Sequence, residues 1–419
     1  MTQVLDGVQR SSLPVKLMIS FGIVFIILFV LPFMVGEFQT SLMSKLLLFG
    51  ALGISLDLVW GFTGILSFAH GVFFTLGGYA MAYYLKLNLS ASANTYGGEL
   101  PDFMVWNGLT ELPWFIAPLK HFHIAILAVV LVPAVFAYII GWFIFRSKVS
   151  GVYITIITLA ISSALTTFFI SQQAYTGGTN GITDVAQLEL LGLTFKGNLL
   201  YWVILVFTSL VLVGAWLLTK TNLGLILRSI NENERRIAFL GYDVASFKIF
   251  IWTVSAAIAG ISGALFVPLN KFISPVYLAV AFGTQVVIWV AIGGRGSLVG
   301  PLVAAILLGQ VQNYAERVTQ DWQLIVGILL LVVVLFLPDG LMGLIPKSVM
   351  QAMESNPTPM STPSSSSAGY VRAAVFDWVT PVKSASRTVW RSLSGVSSKL
   401  PSRKSKRDAR FPSDRDRFR

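Results

Sequence analysis

Ten apolar runs of bilayer-spanning length constrain this chain more than any other feature. They lie at about 17–35, 42–60, 65–85, 124–145, 151–171, 199–219, 247–268, 276–292, 298–315 and 322–341. The first has 19 residues, or about 28 Å of helix at about 1.5 Å each, enough for a hydrocarbon core of about 30 Å. An Asp, Lys or Arg at the centre of a span costs about 2.5–3.5 kcal/mol, and the runs nearly lack them. Lys45 and Asp57 stand near the two ends of the second run, where snorkelling or local partners lessen that cost. Arg10 and Lys16 precede a run longer than the core of a signal peptide, about 7–15 residues, so 17–35 reads as a permanent first span. The expected fold is all-α, a polytopic transmembrane helical bundle in contact with the lipid bilayer, and not a soluble enzyme.

Charge sets the orientation. Only 12% of residues are charged, about half the share in a soluble domain, so most of the surface must face something apolar. With the N-terminus in the cytoplasm and sides alternating, eleven Lys/Arg fall inside and six outside, before the tail adds 13 more inside. Both termini therefore read as cytoplasmic. The third, eighth and ninth runs are Gly-rich enough to be re-entrant, which leaves eight to ten spans. The transmembrane core covers 1–346, and 347–419 is a Ser/Pro-rich, then basic, segment expected to be a disordered cytoplasmic tail. From Ser348 onward the chain holds a net +8 of its +11, so the basic balance is no sign of nucleic-acid binding. A membrane-surface helix at 370–383 is the weaker alternative for part of it. The absence of cysteine excludes disulfides, thiolate metal sites and Cys nucleophiles.

Three connections are long: 86–123 and 172–198 outside, and 220–246 inside. In the inside loop, Asn231 with Glu234 three residues later has the arrangement of a capping box. Ile237 and Leu240 then share one face beside Ala238, Gly241 suits the residue that ends a helix, and Asp243 can cap the next one. The product is a short amphipathic helix at about 231–241. On physics alone, docking to a partner and a merely solvated connection remain equally open.

The stretch GLILRSINENERRIAFLGYDVASFKIFIWTVSAAIAGISGALFVP resembles the coupling region of permease subunits of bacterial ABC importers, in the branched-chain amino acid and urea group. GVYITIITLA, TGGTNGITD, GFTGILSFAHGVFFTLGGY, AIGGRGSLVGPLVAAILLG and LPDGLMG are similar to the same group, in order along about residues 45–345. Within it, NENERRIAFLGYDV and TGGTNGITD look closest to the urea permease. The outside loop 86–123 and the basic tail depart from the shorter family pattern. The resemblance implies a multi-pass protein of the bacterial inner membrane that forms half of a pathway with a second related permease. Two cytoplasmic ATPase subunits would drive it, and an external substrate-binding protein would deliver urea or, alternatively, a branched-chain amino acid. Asn231, Glu232, Glu234, Arg235, Ile237, Ala238, Leu240 and Gly241 would then couple the permease to its ATPase. No cofactor is expected on this chain, since ATP would be used by the partner subunits.

The residues agree with the lack of an engine. No G-x-x-x-x-G-K-[ST] phosphate loop is present, and GGRGSLVG reads as a tight inside turn with Arg295 at the membrane surface. In SAAIAGISGAL, Ser255, Ala259 and Gly263 are spaced by four, as are Ala256, Gly260 and Ala264. That spacing points to close helix packing rather than substrate contact. Thr63, Ser67, His70, Thr179, Asn180 and Gln285 are the polar candidates for a pathway lining, against the alternative of interhelical hydrogen bonds. His121-Phe122-His123 has no nearby acidic ligand, so no metal site is expected. A self-sufficient carrier, which often shows inverted repeats and mid-membrane ionisable groups, fits less well. An intramembrane enzyme fits least.

Overall fold

In a computed structural model of the chain, the described residues are 25–89, 100–147, 149, 151–190 and 193–318, with isolated positions and one turn between 324 and 344. Most of the tenth run, the start of the first run, positions 90–99 of the first outside loop and the tail at 347–419 lie outside them.

The longer described helices are α1 (Phe25–Met34), α2 (Glu37–Thr63), α3 (His70–Leu87), α4 (Phe122–Arg146), α5 (Gly151–Ser171), α6 (Asn198–Lys220), α7 (Asn222–Phe239), α8 (Val244–Asn270), α9 (Val280–Gly293) and α10 (Val299–Val318). Among the described residues, α2, α4, α5, α6 and α8 are long and apolar enough to cross a membrane, and α1 and α9 are shorter apolar helices. Helices dominate because lipid gives backbone N–H and C=O groups nothing to bond with. Short strands appear only in outer connections: β1 (Ile182–Thr183) pairs antiparallel with β4 (Phe272–Ile273), and β2 (Leu188–Leu190) with β3 (Leu193–Phe195).

Burial ranks the helices. In the apolar stretch of α2, 83% of residues are buried, and 61% in α8, against 17% in α5. So α2 and α8, packed directly on each other, form the axis, with α3 against α8 and α4, and α5 stands at the periphery. Small residues allow this closeness. A Cβ on Gly77 of α3 would run into the backbone of Gly260, and one on Gly263 would overlap the Phe74 carbonyl. Pro133 inside α4 cannot donate to the Val129 carbonyl one turn back, and Gly260 packs against both. The spacing of small residues in α8 is therefore used for packing. Beside it Phe49, Phe74, Phe266, Tyr277, Phe282 and Trp289 form one aromatic core, with Phe266 and Tyr277 at 4.9 Å and Phe49 and Trp289 at 5.0 Å.

Two boundaries differ from the sequence reading. The third run was expected from 65, but α3 begins at His70, and residues 64–69 are non-helical. Gly64 ends α2 in the left-handed region, φ 74°, with its N–H on the Trp60 carbonyl at 3.0 Å. The second run extends to Glu37–Thr63, so Lys45 and Asp57 lie well inside α2 rather than at its ends.

Gly263→Leu should overpack the α3–α8 contact by about 1–3 kcal/mol and lower the unfolding temperature of the detergent-purified protein. Gly214→Leu on the outer face of α6, where a side chain meets open space, should leave that temperature unchanged.

Candidate functional site

The break between α2 and α3 is the first polar centre. Thr155 Oγ1 of α5 donates to the Leu66 carbonyl at 3.1 Å, and Ser162 Oγ donates to the Phe68 carbonyl at 3.1 Å. The Phe68 N–H donates to Thr158 Oγ1 at 3.2 Å. These hydroxyls recur at helical spacing on one face of α5, and they supply partners to backbone that has left a helix. His70 closes the other side. Ser255 Oγ donates to the Ser55 carbonyl at 2.5 Å, so its oxygen accepts from His70 Nε2 at 2.7 Å. That places the ring proton on Nε2, and Nδ1 accepts from Ser67 Oγ at 3.3 Å. The Ser67 oxygen in turn accepts the Ala69 N–H at 3.1 Å.

The second centre lies on the side that the basic residues mark as cytoplasmic. Asp57 is fully buried in α2, and its two oxygens accept the N–H groups of Gly296 at 2.7 Å and Leu298 at 2.9 Å. It thereby holds the turn between α9 and α10, in which Leu298 sits at φ 56°, a conformation L-residues rarely adopt. The turn lies against α2 because Gly61 has no side chain: a Cβ there would stand 2.7 Å from the Gly296 Cα. Arg295 is exposed on this turn and covers the Trp60 ring at 4.7 Å.

Below α2 lies α7, which is longer than the expected 231–241 helix and bends at Asn233, φ −157° and ψ 90°. Its first part is docked through buried Leu227 and Ile230, and through Arg228 over Phe62 at 5.1 Å. Asn231 was expected to cap the helix. Instead its Nδ2 donates to the Gly61 carbonyl at 3.4 Å, and Asn233 caps the second part by accepting the Arg236 N–H at 3.0 Å. The packing of Leu227 and Ile230 continues the first helix past Asn231 and moves the cap two residues on. The end matches expectation: Gly241, φ 90°, donates to the Ala238 carbonyl at 3.0 Å and Tyr242 to the Ile237 carbonyl at 3.4 Å, the paired bonds of a Schellman motif. Asp243 stands at the start of α8, but its carboxylate takes the Ser246 hydroxyl at 2.8 Å and Arg146 at 3.4 Å. Glu234 pairs with Lys248 of α8 at 2.7 Å. Glu232, Arg235, Ala238, Phe239 and Leu240 are exposed, and Ile237 is half-buried.

The remaining candidates lie elsewhere. Thr63 only back-bonds to the Val59 carbonyl at 2.7 Å. Thr179 and Asn180 are exposed in an outer turn, far along the chain from Ser67 and His70 and on the opposite side by the charge rule. Gln285 of α9 donates to Gln312 of α10 at 2.7 Å. The sequence reading missed Lys86, a buried ammonium whose three donors meet Asp102 at 3.1 Å and the carbonyls of Thr183 at 2.9 Å and Asp184 at 3.4 Å. It ties the two outer loops together.

Residues 38–335 match the family described as "Branched-chain amino acid transport system / permease component". The chain belongs to this permease family. Among curated relatives, the permease is 25% identical to the high-affinity branched-chain amino acid transport system permease protein LivM of Salmonella typhimurium, over 81% of this chain and 77% of that one. It is 24% identical to a probable branched-chain amino acid permease, LivM, of Methanocaldococcus jannaschii, over 72% of this chain and 93% of that one. It is also 22% identical to the ribose import permease RbsC of Haemophilus influenzae, over 56% of this chain and 71% of that one. No solved structure matches the permease at a significant level. Family and apolar helices together make the permease a multi-pass protein of the inner membrane, and its relatives are translocation subunits rather than enzymes. None of the relatives named here is a urea permease, so the urea likeness read from the two short segments gains no support from them.

Asp57→Asn would turn an amide N–H toward a backbone donor and leave it without an acceptor, at a cost of about 1–3 kcal/mol. Faster trypsin cleavage at Arg295 in the variant, compared with the wild type in the same detergent, is the expected result.

Proposed function

We propose that this chain is a translocation subunit of an ATP-driven importer of branched-chain amino acids in the bacterial inner membrane. It works with a second related permease, two cytoplasmic ATPase subunits and an external binding protein, and ATP is used by the ATPase subunits. One observation carries the coupling: the second part of α7 ends in a 90% exposed Phe239 and a 68% exposed Leu240, an apolar tip on the cytoplasmic side that a soluble loop would not keep. The tip is braced to α8 through Glu234–Lys248 and to α4 through Asp243–Arg146. Its first part is docked under α2. Movement of a partner that grips Phe239 and Leu240 therefore reaches three membrane helices. Glu232, Arg235, Ile237, Ala238 and Gly241 shape this handle, and Asn231 and Glu234 anchor it.

The substrate reading follows the relatives, whose names point to branched-chain amino acids more than to the urea favoured by the short segments. In the break, Thr63, Ser67 and His70 have protein partners, which supports a structural role for them in this state.

In the assembled complex with its binding protein, leucine should stimulate ATP hydrolysis and urea should not; the reverse result restores urea. Leu240→Glu should reduce co-purification of the ATPase subunits by about tenfold or more, as loss of an interface anchor does, with the permease still monodisperse. Undiminished co-purification would remove α7 from the interface.

A further inference from the structure

Lys45 of α2, Gln285 of α9, and Gln312 and Glu316 of α10 form a polar patch toward the outer end of three packed helices. Gln285 Nε2 donates to Gln312 Oε1 at 2.7 Å, and Gln312 Nε2 donates to Glu316 Oε1 at 2.9 Å. The ladder leaves acceptor capacity on Gln285 Oε1 and on Glu316. Leu46, next to Lys45, packs on the same helix as Glu316 where Gly309 has no side chain, yet Lys45 and Glu316 form no ion pair among the described residues. Its ammonium stands over the Phe49 ring at 5.6 Å instead.

Among the described residues, several buried charges are matched by hydrogen-bonding neighbours, while half-buried Arg228, like Lys45, has an aromatic face. Asp57 has two N–H partners, Lys86 three acceptors and Lys248 a carboxylate. Opposite charges at the edge of a low-dielectric region attract strongly, so a cation and an anion that stay unpaired beside an amide ladder suit a guest that carries both signs. The apolar wall is in place as well. Phe49 packs on Phe282 at 5.6 Å and on Trp289 at 5.0 Å, and Gln285 lies between those two residues on α9.

We infer that Lys45, Gln285 and Glu316 form an outer entry site for the zwitterionic head of an α-amino acid. Lys45 takes the carboxylate, Glu316 and Gln285 Oε1 take the ammonium, and the aliphatic side chain lies by Phe49. The inference rests on the amino acid import proposed above and deepens it. A neutral solute such as urea would use neither charge.

The test labels Lys45 with an amine-acetylating reagent in the assembled wild-type complex and reads the product by mass spectrometry. Leucine should slow acetylation of Lys45 relative to that of exposed Lys196 in the same sample, which corrects for reagent consumed by free amine; equal slowing of the two would overturn the site. In proteoliposomes with leucine-loaded binding protein, Lys45→Met and Glu316→Gln should each lower leucine uptake by about tenfold or more, the loss of a charge-assisted hydrogen bond. Where a variant does not assemble, the labelling result alone decides. Wild-type complex that moves leucine while both variants keep full uptake refutes the site and leaves the import reading standing; wild-type complex that moves no leucine refutes the import reading itself.

Discussion

Backbone that leaves a helix inside a membrane has no water to bond with, and residues 64–69 are such backbone. Ser55, which meets Ser255 and through it His70, lies eight residues before Thr63, or about 12 Å along α2. The chain therefore climbs back beside α2 without helical bonds before α3 begins. Every unmet N–H or C=O on that climb would cost several kcal/mol in hydrocarbon. Thr155, Thr158 and Ser162 remove much of that cost from α5, and the Ser67–His70–Ser255 chain ties the start of α3 to α2 and α8. The peripheral position of α5 follows. It is held to the bundle by hydroxyl–backbone bonds at the break more than by apolar burial, so a shift of α5 and a shift of this segment are one event.

The cytoplasmic end of α2 is the second junction. Within two turns it carries Asp57, Trp60, Gly61 and Phe62, which hold the α9–α10 turn, Arg295, Asn231 and Arg228 respectively. These are short-range contacts of different kinds on one rigid element. Coupling between distant sites needs such a contiguous element with more than one arrangement. The bend at Asn233 divides α7 into a docked part and a projecting part, with Asn231 on the Gly61 carbonyl just before the bend.

The span-length helices were legible because apolar run length is a one-dimensional property: 151–171 and 199–219 correspond to Gly151–Ser171 and Asn198–Lys220. The 64–69 break was not, because GILSFA is apolar enough to extend the run to its left and right. Hydropathy does not distinguish a helical Leu66 from an extended one. The threonines and serine of α5 carried the missing signal, since hydroxyls at three- and four-residue spacing in a span imply a backbone to serve. Asn231 and Asn233 compete for one cap, and long-range packing of Leu227 and Ile230 decides between them. The Gly241 stop was readable because its bonds are local. Asp57 and Lys86 were visible as residues but not as clamps, since their partners lie about 240 and 100 positions away in sequence.

Charge is handled differently at the two faces. Toward the cytoplasm, Asp57, Glu234–Lys248 and Asp243–Arg146 are closed contacts that brace moving parts against one another. At the outer face Lys86 is likewise closed, and it links the loop bearing Asp102 to β1, whose ladder with β4 leads into the connection before α9. The same helix then presents Gln285 to Gln312, beside a Lys45 and a Glu316 that do not meet. On the import reading proposed above, mechanical linkage and solute recognition fall to separate charges, and α9 joins them: its Gln285 meets Gln312, and the connection before it carries β4.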